Sequence, residues 1–419
     1  MTYSRRAMLR MAAAVPLLPG AVTARDQVAL NTIWLAWPDE QIVPQFNLVA
    51  KENPDIKVDL ETYPFSELFQ IIDVRLQPRQ PTPDIFLADT PLTAYYAARG
   101  HLQPIEPMIG SELVQRYSKA AVDAGSVDGD LMSLPLYTAS IVLYINKEMF
   151  EAAGVELPSD KVEDRWTWEE TLEVAKKLSK PDEGIWGLVF EQTDRVFQLL
   201  PLSQSNGGQV ISDDGLTTSG YIDGAASVEA IEWYQSLYTD HQVSPPGVFD
   251  LNLARELFFT GKAAMFLGLD GVSKLLAARP EIDWMATAHP YFEGGMPVTP
   301  TGSWHIGANP RSEHPEAQAA FLRTFASPRM SQMLAEGRGS PPVMDVVWEA
   351  MADQLSDPMW DIMRHELGNT AVPRPATPGF REYEDILRLA FREIIGGADV
   401  RTQLSKAAEG IDARMAKYR

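Results

Sequence analysis

Between residues 28 and 102 the chain alternates continuous apolar runs with amphipathic stretches, separated by short breaks. Residues 28–36 (VALNTIWLA) form a mainly apolar run rich in β-branched side chains, the pattern of a strand buried on both faces. Pro38-Asp39-Glu40 then opens a helical pattern with Asp39 as N-cap candidate, and Ile42, Val43, Phe46, Val49 and Ala50 recur at helical spacing. Asn53-Pro54 stops it. Residues 56–60 read as a second strand. Ser66 is placed to cap a helix carrying Leu68, Phe69, Ile72 and Leu76, and residues 78–83 read as a turn. Residues 85–88 read as a third strand, with Asp89-Thr90-Pro91 starting the next helix. Strands alternating with helices across short loops predict an α/β fold on a parallel sheet.

The rest of the chain is consistent with more than one such unit. Helices are expected at 168–178 (capped by Thr167), 224–238, 253–259 and 315–325, and strands at 185–190, 263–267 and 302–308. The last third reads as helical, interrupted by Pro373-Arg374-Pro375-Ala376-Thr377-Pro378. At 419 residues the chain has the length of two to three domains and needs no disulfide or metal to build a core.

The first residues read as an address. Ser4-Arg5-Arg6 and Arg10 precede an apolar run over 11–18, and Val22-Thr23-Ala24 offers a cleavage position after Ala24. The order of zones predicts an export signal over 1–24, and Arg5-Arg6 makes it twin-arginine-like. The apolar run is too short to span a bilayer. Cleavage removes three arginines and no acid, so the formal charge of −21 becomes −24. Such an acidic chain repels phosphate backbones and anionic lipid, so nucleic acid is not an expected partner. The chain has no cysteine, which excludes thiolate nucleophiles, Cys-ligated metal, disulfides and a lipid-bearing cysteine.

Motifs for catalysis are missing too. The six histidines show no H-E-x-x-H spacing, and there is no G-x-S-x-G elbow, P-loop or G-x-G-x-x-G. Neither a metal nor a cofactor is expected. Instead, aromatic residues stand beside small polar ones in loops: Trp37-Pro38-Asp39, Tyr137-Thr138 and Thr301-Gly302-Ser303-Trp304. A sugar stacks its C–H face on an aromatic ring while carboxylates and arginines bond its hydroxyls, so this combination suits a carbohydrate. In open α/β sheets ligands bind beyond the carboxyl ends of the strands, which singles out Trp37, Asp39, Asp89 and Thr90. A secreted carbohydrate-active hydrolase remains an alternative, as does a receptor for a non-sugar solute such as a polyamine.

Several phrases in order resemble the family 1 extracellular solute-binding proteins of carbohydrate ABC importers. They are Pro54-Asp55-Ile56, Pro83-Asp84-Ile85-Phe86, Leu134-Pro135, Tyr144-Ile145-Asn146-Lys147, Thr167-Trp168-Glu169-Glu170, Gly261-Lys262-Ala263-Ala264-Met265 and Thr299-Pro300-Thr301-Gly302-Ser303-Trp304, with the late Pro373–Pro378 phrase. The resemblance implies a two-lobed periplasmic-binding-protein fold with an interlobe cleft and hinge crossings near 135–139, 288–291 and 327–330. It implies an N-lobe of 25–137 plus 289–328 and a C-lobe of 138–288 plus 329–419. The ligand residues it implies are Trp37, Asp39, Asp89, Thr90, Tyr137, Thr138, Asp270, Trp304 and Arg374. The implied partners are a small carbohydrate and the membrane permease subunits of an ABC transporter. The receptor is expected to be a periplasmic monomer without enzymatic activity.

Overall fold

The computed structural model describes residues 27–302 and 304–419; the expected export signal lies outside the described residues. Two sheets organise the chain. The strands in chain order are β1 (Val28–Leu35), β2 (Ile56–Tyr63), β3 (Ile85–Asp89), β4 (Ser126–Val127), β5 (Asp130–Leu131), β6 (Leu134–Pro135), β7 (Ile141–Asn146), β8 (Trp186–Phe190), β9 (Ala263–Leu269), β10 (Trp284–Thr287), β11 (Thr299–Thr301), β12 (Trp304–Ala308) and β13 (Ala371–Pro373). The first sheet has the order β2-β1-β3-β12-β6, the second β10-β7-β9-β8. β1, β2 and β3 run parallel, as the strand–helix alternation requires, and β12 returns from much later in the chain to lie antiparallel to β3. Two small ladders, β4–β5 and β11–β13, complete the pairing.

The chain therefore leaves the first sheet after β6 and enters the second at β7, then returns between β10 and β12. The return segment is tied down from below. Buried Arg165 donates to the His289 carbonyl and to Glu366 Oε1, both at 2.7 Å, while Thr299 Oγ1 donates to Glu366 Oε2 at 2.7 Å. A charge pair buried this deeply is tolerable only because further hydrogen bonds complete it. Burial pushes the His289 imidazole down to about 4, so it stays neutral beside this pair.

The helices Pro315–Phe325 and Trp168–Leu178 match their sequence expectation residue for residue. Thr167 and Glu170 form a complete capping box. The two expected caps, Asp39 and Ser66, are corrected, and the helix after β3 starts in the same way. Helix Asp39–Glu52 is preceded by Pro38, helix Phe65–Leu76 by Pro64 and helix Leu92–Ala98 by Pro91, and none of the three has a side-chain cap bond. Asp39 and Ser66 lie inside the first turn instead of at its entrance, and Asp89 ends β3. In the first two the proline holds the extended backbone of a cap position with φ −53° and −56°, displacing the hydroxyl or carboxylate that composition favours.

The candidate ligand cleft

The carboxyl ends of β1, β3 and β6 and the start of β12 share one edge of the first sheet. They bring Trp37, Asp89, Tyr137 and Trp304 together there. Trp304 is the direct antiparallel partner of Asp89, so both side chains leave the same face. Trp37 meets Trp304 edge-on at 5.9 Å and Tyr137 at 6.1 Å. Trp304 also stacks on Phe69, with centroids 5.8 Å apart and 14° between planes. The ring expected to stack a ligand thus already has one face against the protein and is only partly exposed.

Arg374 arrives from the end of β13 and grips Asp89 with both prongs of its guanidinium, Nη1 to Oδ2 at 2.7 Å and Nη2 to Oδ1 at 2.5 Å. Both side chains are nearly buried, and 285 residues separate them in the chain. A fork matched to a carboxylate is the arrangement arginine is built for. Arg374, which the resemblance implies as a ligand residue, is thus already neutralised by Asp89. Its Nε has no partner. The guanidinium also lies 5.0 Å from the Phe197 ring centre and 5.8 Å from that of Phe380. Gly302 makes this approach possible, since a Cβ there would sit 2.8 Å from Arg374 Nη2.

Asp270 follows β9 at the facing edge of the second sheet, where its amide donates to the Ser140 carbonyl at 3.0 Å. It is 2% exposed. Burial pushes its carboxyl up to about 7, opposed by Ser340 and by the positive charge of Arg338. Arg338 ends the helix Pro328–Arg338 and was missed in the sequence, where a basic residue in a last helical turn reads as a complement to the helix dipole. Its guanidinium lies 4.0 Å from the Trp37 ring centre and 4.7 Å from that of Tyr137, and donates to Gln41 Oε1 at 2.8 Å. Cation–π contact of this kind contributes about 1–2 kcal/mol when desolvated.

Thr90, Thr138 and Arg374 border the other space at this junction, a cavity of about 870 Å³. Thr138 and Thr301 share a hydroxyl–hydroxyl bond of 3.1 Å there. His305 lines the same cavity, held neutral by burial with its Nδ1 2.8 Å from Ser133 Oγ. Eight of the nine expected residues are thus gathered around the junction of the two sheets. Asp39 is the exception: it is exposed and makes no hydrogen bond or ion pair among the described residues. Among the described residues no group of three or more His, Asp or Glu is placed to hold a metal ion.

Residues 37–332 match the family model described as bacterial extracellular solute-binding protein. The chain belongs to that family. This solute-binding protein is 24% identical to a lipoprotein of Streptomyces antibioticus described as uncharacterized, over 97% of this chain and 92% of that one. It is 24% identical to the mannitol-binding protein of Pseudomonas aeruginosa over 59% of this chain and 56% of that one, so that match spans little more than half of either. The arabinooligosaccharide-binding protein of Halalkalibacterium halodurans is 21% identical over 77% of this chain and 68% of its own length. Among solved structures, an ABC substrate-binding protein of Listeria monocytogenes in complex with cycloalternan superimposes with a TM-score of 0.83 at 21% identity, covering 93% of this chain and all of that one. Maltose-bound MalE3 of T. maritima gives 0.79 at 22% identity, covering 94% of this chain and 100% of the other. The fold is therefore the two-lobed fold of these binding proteins.

Proposed function

We propose that the protein is the exported receptor of an ABC import system, capturing a sugar or sugar derivative between its lobes and delivering it to a membrane permease. The observation that carries this reading is the Asp89–Arg374 fork set beside Trp304 and Trp37 where the two sheets meet. Carboxylate, guanidinium and indole together are the groups that hold ring hydroxyls and a C–H face. Relatives named for mannitol and arabinooligosaccharide, and a maltose-bound structural neighbour, support it. The ligand residues are Trp37, Asp89, Thr90, Tyr137, Thr138, Asp270, Trp304 and Arg374, with Asp39 at the rim.

The strand memberships support an N-lobe that begins after the signal, crosses near 135–139 and regains the first sheet after 288–291. The helix Pro328–Arg338 packs on Asp39–Glu52 and Pro315–Phe325, which favours a third crossing at its far end, beyond 327–330. The twin-arginine-like start supports export to the periplasm, where the receptor acts as a monomer and turns nothing over. A thermal-shift screen of the mature protein against sugars, polyols, sugar phosphates and polyamines tests the reading. A ligand at 100 times its Kd stabilises by about 2.7 kcal/mol. Stabilisation by carbohydrates alone is expected. Stabilisation by polyamines alone, or release of shortened products from oligosaccharides, refutes it.

A further inference from the structure

The aromatic wall of Trp37, Tyr137 and Trp304 and the cavity of about 870 Å³ are two different spaces. Successive residues of an extended segment send their side chains to opposite faces. In β12, Trp304 meets Trp37 and Phe69, while its neighbour His305 borders the cavity. Where the chain crosses between the sheets, Tyr137 meets Trp37 and Arg338, while its neighbour Thr138 borders the cavity. None of Trp37, Tyr137, Asp270 and Trp304 is among the described residues that line it. These segments therefore act as a partition, with the aromatic wall on one side and the cavity on the other. Thr90, Thr138 and Arg374 stand in that partition.

The cavity has the size of a small-molecule pocket, about 300–1,000 Å³. Ala121, Ala124, Val343, Trp348, Leu367 and Val372 give it apolar walls. Three cations border it among the described residues. Lys119 pairs with Asp123 one helical turn on, and Arg374 with Asp89. Arg364, exposed on the helix Pro358–Asn369, has no acid partner among the described residues; its guanidinium lies 5.6 Å from the Trp348 ring centre. Burial pushes the His305 imidazole down to about 3, so it adds a neutral hydrogen-bonding group and no charge.

Those surroundings specify an occupant. The guanidinium fork matches a carboxylate and is unmatched here, which calls for an anion. Asp345 also borders the cavity, so one arginine balances a monoanion better than a phosphate dianion. The apolar walls call for a hydrocarbon body attached to it. We propose that this cavity is a second ligand site, distinct from the sugar cleft, which takes a small monocarboxylate with its head group on Arg364 and its apolar body against Ala121, Val343 and Leu367. It stands independently of the sugar-receptor reading, since it uses the other face of the partition.

The test is calorimetry on the mature protein with octanoate and phenylbutyrate, against octanol, octylammonium and acetate as probes that lack the charge, reverse it or lack the body. One carboxylate should bind per chain, and each of the three controls at least tenfold more weakly. Arg364→Gln should lose at least tenfold, Arg364→Lys less than that, and Asp345→Asn nothing. Ala120→Trp, on the helix Lys119–Ala124 that borders the cavity, narrows it without removing a charge and should also lose at least tenfold. Trp304→Ala should leave carboxylate binding unchanged. Melting temperatures without ligand report folding of each variant. Failure of both carboxylates to bind overturns the proposal, as does octanol or octylammonium binding as tightly as octanoate. Wild-type octanoate affinity in both Arg364→Gln and Ala120→Trp overturns it too. Loss in Trp304→Ala with none in Ala120→Trp puts the carboxylate in the sugar cleft and likewise overturns it.

Discussion

Replacing Arg374 by alanine should destabilise the fold by about 3–4 kcal/mol at pH 7. The change leaves Asp89, 7% exposed, facing the space its partner occupied. Breaking one half of a buried ion pair costs about 3–5 kcal/mol, because the remaining charge keeps its desolvation penalty. An independent ceiling comes from protonation. A carboxylate of ordinary pKa about 3.9 can be neutralised at pH 7 for about 4 kcal/mol, so the penalty cannot much exceed that. Both routes give the same range, before the lost contacts with Phe197 and Phe380 are counted. Urea unfolding followed by the fluorescence of the ten tryptophans measures it. The deficit should shrink when Asp89→Asn is added, because no charge is then left alone. A deficit below 1 kcal/mol at pH 7, or one unchanged by Asp89→Asn, would refute the argument that the pair is a buried, mutually dependent unit.

Other outcomes follow from the same geometry. Trp304→Ala and Asp89→Ala should each weaken sugar binding at least tenfold by calorimetry, about 1.4 kcal/mol, and wild-type affinity in both would dismiss the site. Gly302→Ala puts a methyl 2.8 Å from Arg374 Nη2 and 3.3 Å from the Phe197 ring, so the arginine must move; a loss of about 1–3 kcal/mol in urea unfolding is expected. The Asp270 carboxyl is pushed up to about 7 in the folded protein, so the folded state holds a proton that the unfolded chain has already released above about pH 4. Stability should therefore fall as pH rises from about 4 to 7, by at most about 1.4 kcal/mol per unit, and Asp270→Asn should flatten that slope in a pH series of melting curves. Thr167→Ala removes the capping box of helix Trp168–Leu178 and should cost about 1 kcal/mol, read by the same melting curves.

Where structure follows from neighbours along the chain, the sequence already showed it. The run at 28–36 is a strand because β-branched and apolar side chains suit a position buried on both faces, and β1 ends one residue short of that reading. Thr167 and Glu170 stand three residues apart just ahead of an amphipathic run, the spacing of a capping box that favours a helix start. Trp37, Asp89 and Trp304 could be placed near strand ends because each follows, ends or opens an apolar run. The caps at Asp39 and Ser66 failed for a local reason as well: a proline just upstream preset the backbone, and composition rules for polar caps do not weigh that.

What the residues do to one another across the cleft was not legible. Nothing near residue 89 announces that its carboxylate will be held by a guanidinium 285 positions later, nor near residue 338 that a helix-end arginine will lie on Trp37. Those contacts exist because β12 returns to the first sheet and β13 pairs beside it, bringing distant loops to one edge. The free or matched state of a charge depends on distance in space, and on how much water burial removes. Local pattern could therefore indicate that this chain builds sheets with ligand chemistry at their ends. Only the packed lobes decide that Arg374 is matched by Asp89 and that Arg338 lies on Trp37 and Tyr137.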